Sequence, residues 1–98
     1  MNRVQFLRRA VIDASEATHW YAERDDRVAD AFEAGLEQTV ERVASMPGTG
    51  SPWPGMPSVR RAPIQGFPYW VIYEEQAGGI VVIAVAHEKR RPAYWREP

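Results

Sequence analysis

A stretch rich in proline and glycine, residues 47–58, divides the chain into two halves that must fold differently. It reads PGTGSPWPGMPS and holds four of the eight prolines and three of the seven glycines. Proline lacks an amide proton and fixes its backbone angle, so neither a helix nor an interior strand continues through such a stretch. We expect a loop at 47–58, with helices before it and strands after it.

The half before this loop carries the periodicity of two amphipathic helices. The second and longer helix is predicted over 28–46, with apolar residues at spacings of three and four: Val28, Phe32, Leu36, Val40 and Val43. Acidic residues take its outer side: Asp30, Glu33, Glu37 and Glu41. An earlier helix is predicted over 13–25, because Asp13 and Glu16 have the spacing of a capping box. Its apolar face would hold Ala14, Ala17 and Tyr21.

The half after the loop predicts three strands, over 59–64, 69–74 and 80–87, separated by glycine-containing turns. The last is almost continuously apolar, which is typical of a strand covered on both faces. Pro63 favours an edge position for its own strand. A short strand at 4–7 and a helical turn at 92–96 complete the prediction. The order β-α-α-β-β-β indicates one α+β domain over 1–98, with two antiparallel helices packed on a mainly antiparallel sheet of three or four strands.

Composition excludes several classes of function. The 98 residues contain no cysteine, so neither a disulfide scaffold nor a thiolate metal site is possible. With only His19 and His87, a metal site would depend mainly on carboxylates, and no set of residues at ligand spacing supports one. We expect no metal and no cofactor, since Gly48 and Gly50 are not followed by the lysine of a phosphate-binding loop. No apolar run approaches the ~18 residues of a membrane span. We expect a cytoplasmic protein with no membrane partner.

The net charge of −1 conceals a strong asymmetry along the chain. Residues 1–12 carry +3, residues 13–45 carry −6, and residues 56–98 carry +2. Eleven of the twelve basic residues are arginine, whose planar fork suits carboxylate and phosphate groups. This division indicates two faces with different partners rather than a uniformly basic nucleic-acid binder.

Several short stretches, in their order and spacing, resemble the RelE/ParE superfamily of toxins from bacterial type II toxin–antitoxin systems. They are the pair Trp20-Tyr21, the Pro-Gly-rich segment, Val59-Arg60-Arg61, Gly66-Phe67-Pro68-Tyr69 running into Val71-Ile72-Tyr73, and an ending with the pattern His87-x-x-Arg90-x-Pro92-x-Tyr94-Trp95. The resemblance covers nearly the whole chain. It implies a small toxin that a cognate antitoxin inactivates by wrapping over the helices and a sheet edge.

The resemblance leaves the cellular target open. RelE-like members cleave messenger RNA in the ribosome, whereas ParE-like members bind DNA gyrase and cleave nothing. A non-toxic, domesticated binding module is a third alternative. If the chain is a nuclease, the candidate catalytic residues are His87, Arg90 and Tyr94. The nucleases carry an arginine immediately before the Val-Ile-Tyr stretch, where this chain has Trp70, and the only lysine is Lys89. This departure favours a toxin that acts by binding.

The remaining candidates are binding residues. Those predicted to contact the target are Arg60, Arg61, Arg90 and Trp95. Those predicted to contact the antitoxin are Phe32, Glu33, Glu37 and Trp53. Alternation along a strand sends adjacent side chains to opposite faces, so at most one of the paired arginines serves a given surface. A structural role also stays open for His87 and Arg90, as groups that fix the terminal turn.

Overall fold

The computed structural model describes residues 3–96, in which two helices pack on a five-stranded mixed sheet. The elements are β1 (Arg3–Phe6), α1 (Arg8–Ala22), α2 (Asp26–Ser45), β2 (Ser51–Trp53), β3 (Met56–Pro63), β4 (Tyr69–Gln76) and β5 (Gly79–His87). Short 3₁₀ turns lie at Pro47–Thr49 and Tyr94–Arg96. The sheet order is β1-β5-β4-β3-β2. Strand β1 runs parallel to β5, and the other neighbours are antiparallel.

Helix α2 confirms its periodicity. Asp25 begins it as a side-chain cap that accepts the amide proton of Arg27 at 2.9 Å. Phe32, Val40 and Val43 are buried and Leu36 is half-buried, whereas the acidic residues of the outer side are exposed. Val28, predicted on the same apolar face, is 37% exposed in the first turn of the helix. The amphipathic pattern therefore selects the buried face of α2 correctly.

Helix α1 differs from its prediction at the start. It begins at Arg8, and Leu7 precedes it without a side-chain cap. Asp13, predicted as the cap, lies in the middle of the helix and is only 7% exposed. The capping interpretation was wrong because that pattern is local, while the partners of Asp13 come from the far end of the chain. Ala17 and Tyr21 do pack against the core, as predicted.

The sheet contains the strands that the sequence predicts and one more, so the predicted count of three or four was too low. The additional strand, β2, lies inside the Pro-Gly-rich segment and pairs with β3. Strand β3 is therefore not the edge that Pro63 indicated. Ile64 donates its amide proton to Tyr69, so the proton-less nitrogen of Pro63 faces away from β4, beyond the end of β2. The missing amide proton of Pro63 leaves no gap in the β3–β4 ladder.

Both faces of the sheet are covered, as the apolar run at 80–87 predicts. One core lies under the helices and includes Phe32, Val82 and Val85; the other lies on the opposite face and includes Ile72 and Ala84. A register shift in the β4–β5 ladder exchanges the two faces of β5 near residue 83. The buried positions of β5 therefore do not follow a simple alternation.

The Pro-Gly-rich segment is fixed by one buried phenol. The Tyr73 hydroxyl donates to the carbonyl oxygen of Pro47 at 2.6 Å and accepts the amide proton of Gly50 at 2.9 Å. A Cβ atom at Gly50 would overlap that hydroxyl, so the close approach requires glycine. This anchor holds β2, and with it Trp53, against the sheet. Within residues 3–96 no helix is long and apolar enough to cross a membrane.

Candidate functional site

The candidate residues from the sequence lie on two separate surfaces. One is the sheet face opposite the helices, which carries Arg61, Trp53 and the residues of the C-terminal turn. The other is a groove along α1 and α2, which carries Glu33 and Glu37. The first surface is basic and aromatic, and the second is acidic and apolar. The charge asymmetry along the chain therefore becomes an asymmetry between surfaces.

The first surface contains a small cavity of about 100 Å³, which we call the arginine–tryptophan pocket. The Arg61 guanidinium lies 4.8 Å from the centre of the Trp70 ring and 5.2 Å from that of Trp53. Trp53 in turn meets Trp95 edge to face, with ring centres 4.7 Å apart. The Nε of Arg61 is buried and has no hydrogen-bond partner among residues 3–96. The pocket therefore places a cation between aromatic walls.

The neighbouring arginine serves the other face of β3. Arg60 donates from Nη1 to the carbonyl oxygen of Gly50 at 2.7 Å, so it helps to hold the Pro-Gly-rich segment. The prediction that these two arginines point to opposite faces is confirmed. The Arg60 guanidinium is directed away from the pocket, and of the pair only Arg61 lines it.

A buried hydrogen-bonded pair lies beneath the C-terminal turn. The Tyr94 hydroxyl donates to Asp13 Oδ2 at 2.6 Å, and the same oxygen accepts the amide proton of Val85 at 3.1 Å. Burial raises the pKa of Asp13 above its ordinary value, although both hydrogen bonds act to lower it. Burial and the bond to Asp13 raise the pKa of Tyr94 well above that of a free phenol. Tyr94 is therefore a neutral donor already committed to a partner.

Asp13 was missed by the sequence analysis as a member of this site. It shares a helix face with Ala10 and Ala17, both buried. A single carboxylate on an otherwise apolar helix face is the signal that could have found it, because a buried carboxylate needs donors.

His87 and Arg90 form part of the same turn. The amide nitrogen of Lys89 donates to His87 Nδ1 at 3.0 Å, and the His87 ring packs edge to face against Tyr69 at 5.0 Å. The Arg90 guanidinium stacks on the Tyr94 ring at 4.0 Å, and its amide nitrogen donates to the His87 carbonyl oxygen. The structure thus brings the three predicted catalytic residues close together. The Tyr94 hydroxyl, however, is directed inward to Asp13.

His87 and Arg90 also border a larger cleft of about 550 Å³, which runs toward α1. Trp20 lies on its rim and is 49% exposed, with the Arg24 guanidinium stacked over its ring at 3.4 Å. The residues at 3–96 contain no group of three or more histidine, aspartate and glutamate side chains placed to hold a metal ion.

The second surface is a groove of about 680 Å³ between the helices and β1, which we call the helix groove. Its apolar lining includes Phe6, Leu36 and Val40, and its acidic lining consists of Glu33, Glu37 and Glu41. Beside it, β1 forms an end of the sheet, with β5 as its one neighbour among residues 3–96. Four apolar side chains of β1 and the start of α1 are exposed: Val4, Phe6, Leu7 and Val11.

Phe32 does not belong to the surface of this groove, which corrects its prediction as an antitoxin contact. It is fully buried. Its ring packs against Tyr21, Phe67 and Tyr69, with centres between 5.1 and 5.4 Å away. Phe32 stabilises the core beneath the groove and has no surface to offer a partner. Trp53, the other predicted aromatic contact, lies in the arginine–tryptophan pocket on the opposite face.

The helix pair on a mixed sheet is a fold known from toxin–antitoxin systems. A chain from the structure of a chromosomal ParDE toxin–antitoxin system of P. aeruginosa matches with a TM-score of 0.74. The sequences are 16% identical, and the match covers 89% of this chain and 96% of the other. No curated protein sequence matches significantly.

The sequence itself carries the family assignment. The sequence profile of the ParE toxin of type II toxin–antitoxin systems, parDE, matches residues 4–92. The chain therefore belongs to the ParE toxin family, and the RelE/ParE resemblance that the short stretches indicated is confirmed.

Proposed function

We propose that this toxin arrests growth by binding a protein target of the gyrase type, without cleaving RNA, and that a cognate antitoxin neutralises it. The observation that carries the proposal is that the Tyr94 hydroxyl is already hydrogen-bonded inside the protein. The Tyr94 side chain is 4% exposed, and its hydroxyl donates to a buried carboxylate. A general acid or base must reach the proton that it transfers, and this hydroxyl faces away from the surface.

The rest of the turn supports the same interpretation. Ribonuclease chemistry needs a base, an acid and cations that converge on one phosphate. Arg90 lies on the Tyr94 ring, and the Nδ1 of His87 already accepts a backbone amide proton. Trp70 stands where RelE-like nucleases carry an arginine, and its ring packs against the Arg61 guanidinium. These side chains form contacts with one another, an arrangement that a binding surface explains without any catalytic role.

The helix groove is the surface that fits an antitoxin. Its apolar lining would take the apolar face of an amphipathic helix, and its glutamates would pair with basic residues of that helix. The free edge of β1 offers unpaired backbone groups to an extended segment that continues from the helix. The antitoxin segment that this surface fits is therefore basic and amphipathic.

The deciding experiment separates toxicity from cleavage. Wild type, His87→Ala, Arg90→Ala and Tyr94→Phe are each expressed from a tightly controlled promoter, and growth is measured together with messenger cleavage on programmed ribosomes and with plasmid supercoiling. We expect wild type to stop growth and disturb supercoiling while messenger stays intact. Tyr94→Phe should stay toxic wherever it stays folded.

The opposite pattern would reject the proposal. If wild type cuts messenger in the ribosome, and His87→Ala or Tyr94→Phe abolishes cutting in a folded protein, the RelE-like nuclease is the correct function. If no variant and not even wild type affects growth, the chain is a non-toxic binding module.

A further inference from the structure

We propose that the arginine–tryptophan pocket binds the carboxylate of an acidic side chain on the protein that this toxin targets. The inference rests on the proposed function, because it names the chemistry by which a target protein would be recognised. Its first support is the state of Arg61, whose charge has no carboxylate partner among the described residues.

Arg61 is held by two aromatic rings but has no hydrogen-bond acceptor for its guanidinium among the described residues. Its guanidinium lies between the Trp53 and Trp70 rings, and its Nε is buried with no acceptor in the part of the chain that the structure describes. Aromatic faces stabilise a cation, but they do not accept the in-plane hydrogen bonds of the guanidinium. A buried donor without an acceptor is unfavourable, so a small rearrangement that lets a carboxylate accept from the guanidinium would gain a charge-assisted bond.

The size of the pocket selects a small anion. A volume of about 100 Å³ corresponds to roughly three water molecules at about 30 Å³ each. A carboxylate with its adjacent methylene fits this space. A nucleobase stacked with its sugar does not, because Trp53 and Trp95 already contact each other edge to face and leave no slot between their rings.

The charges around the opening favour an anion. Arg90 and Arg91 line the pocket beside Arg61, and Glu88 is the acidic residue among the lining side chains. The planar guanidinium of Arg61 matches a carboxylate with two parallel hydrogen bonds. The helix groove is lined by glutamates instead, so an antitoxin with basic residues would not compete for this pocket.

The test uses the full chain and two peptides that differ in one group. The probes are acetyl-Gly-Gly-Glu-Gly-Gly-amide and the same peptide with glutamine in place of glutamate. The Nε–H resonance of Arg61 is followed by NMR, and tryptophan fluorescence is recorded in parallel. We expect the glutamate peptide to shift the Arg61 resonance and to bind at least about tenfold more tightly than the glutamine peptide.

Two variants separate the pocket from general electrostatics. Arg61→Lys keeps the charge but loses the fork, and should weaken binding of the glutamate peptide about tenfold. Arg42→Gln removes an exposed charge on α2 and should leave binding unchanged. If Arg61→Lys fails to fold, the wild-type resonance titration decides alone. Equal shifts with both peptides, or none with either, would overturn the proposal.

A nucleic acid is the competing occupant, and a third probe tests it. A short single-stranded oligouridylate is titrated in the same way. The carboxylate assignment would be overturned if the oligouridylate binds more tightly than the glutamate peptide and if Arg61→Lys abolishes that binding. The two proposals are tested separately. Messenger cleavage by wild type would reject the proposed function, whereas the peptide titrations alone decide whether the pocket binds a carboxylate.

Discussion

Replacing Tyr94 by phenylalanine removes the hydroxyl that joins the C-terminal turn to α1. This O–H···O bond is 2.6 Å long, and both of its side chains are buried. Hydrogen bonds to charged groups contribute about 1.5–3 kcal/mol, so the free energy of unfolding at pH 7 should fall by about 2 kcal/mol. Since one kcal/mol shifts Tm by about 4–8 °C in a domain of this size, Tm should fall by about 8–16 °C.

The cost of Tyr94→Phe should depend on pH in a defined direction. Burial raises the pKa of Asp13 above its ordinary 3.8, so the folded state binds this proton more tightly than the unfolded state does. Stability therefore falls as the pH rises from about 4 through the raised pKa. The Tyr94 bond lowers the pKa of Asp13. Its loss raises that pKa further, and the variant should lose more stability than wild type between acid and neutral pH.

Urea denaturation followed by tryptophan fluorescence, repeated from pH 4 to pH 8, measures both effects. Asp13→Asn provides the control background, because it removes the titrating carboxylate and keeps the shape. In that background the cost of Tyr94→Phe should drop below about 1 kcal/mol and lose its pH dependence. A cost in wild type that is below about 0.5 kcal/mol, or that is the same at pH 4 and pH 8, would refute the role given to this pair.

Two further substitutions and one alkaline titration give the remaining predictions. Gly50→Ala should lower the free energy of unfolding by about 1–3 kcal/mol, because its Cβ would overlap the Tyr73 hydroxyl. Gly48→Ala is the control and should change that free energy little, since a Cβ there meets no described atom within 4 Å. Urea denaturation midpoints compare the two variants. Glu37→Arg in the helix groove should weaken antitoxin binding about tenfold and leave toxicity intact, and calorimetry with a growth assay checks this. The pKa of Tyr94 in the folded protein lies above the ordinary 10.0, so the folded state binds the phenol proton more tightly than the unfolded state does. The free energy of unfolding should therefore fall as the pH rises above about 10. Urea denaturation at alkaline pH should show a smaller fall in Tyr94→Phe.

The parts of the fold that follow from short-range periodicity were predictable from the sequence. The apolar spacing of α2 identified its buried face, including Val40 and Val43, and the apolar run at 80–87 identified β5 as an interior strand. Both signals repeat over several turns or residues, so a single exception does not change the outcome.

The features that depend on distant partners were not predictable in this way. Asp13 looked like a helix cap because the sequence does not show that Val85 and Tyr94 lie beside it. Strand β2 lies in a segment whose local composition indicates a loop, and it forms because the Tyr73 hydroxyl fixes the backbone there. Among the candidate site residues, the opposite orientation of Arg60 and Arg61 was predictable from strand alternation. The prediction of Phe32 as an antitoxin contact was wrong, because its complete burial depends on aromatic partners that are distant in the sequence.

The parallel pairing of β1 with β5 has a consequence for how this toxin is made. Arg3 pairs with Gly79 and Phe6 with Val82, so the first strand has no partner until the last one has been synthesised. At roughly 5–20 residues per second, the intervening residues take about 4–15 s to translate. During that interval β1 has no strand to pair with, so the helix groove that Phe6 of β1 lines is incomplete. The whole groove can form only after β5 has been made.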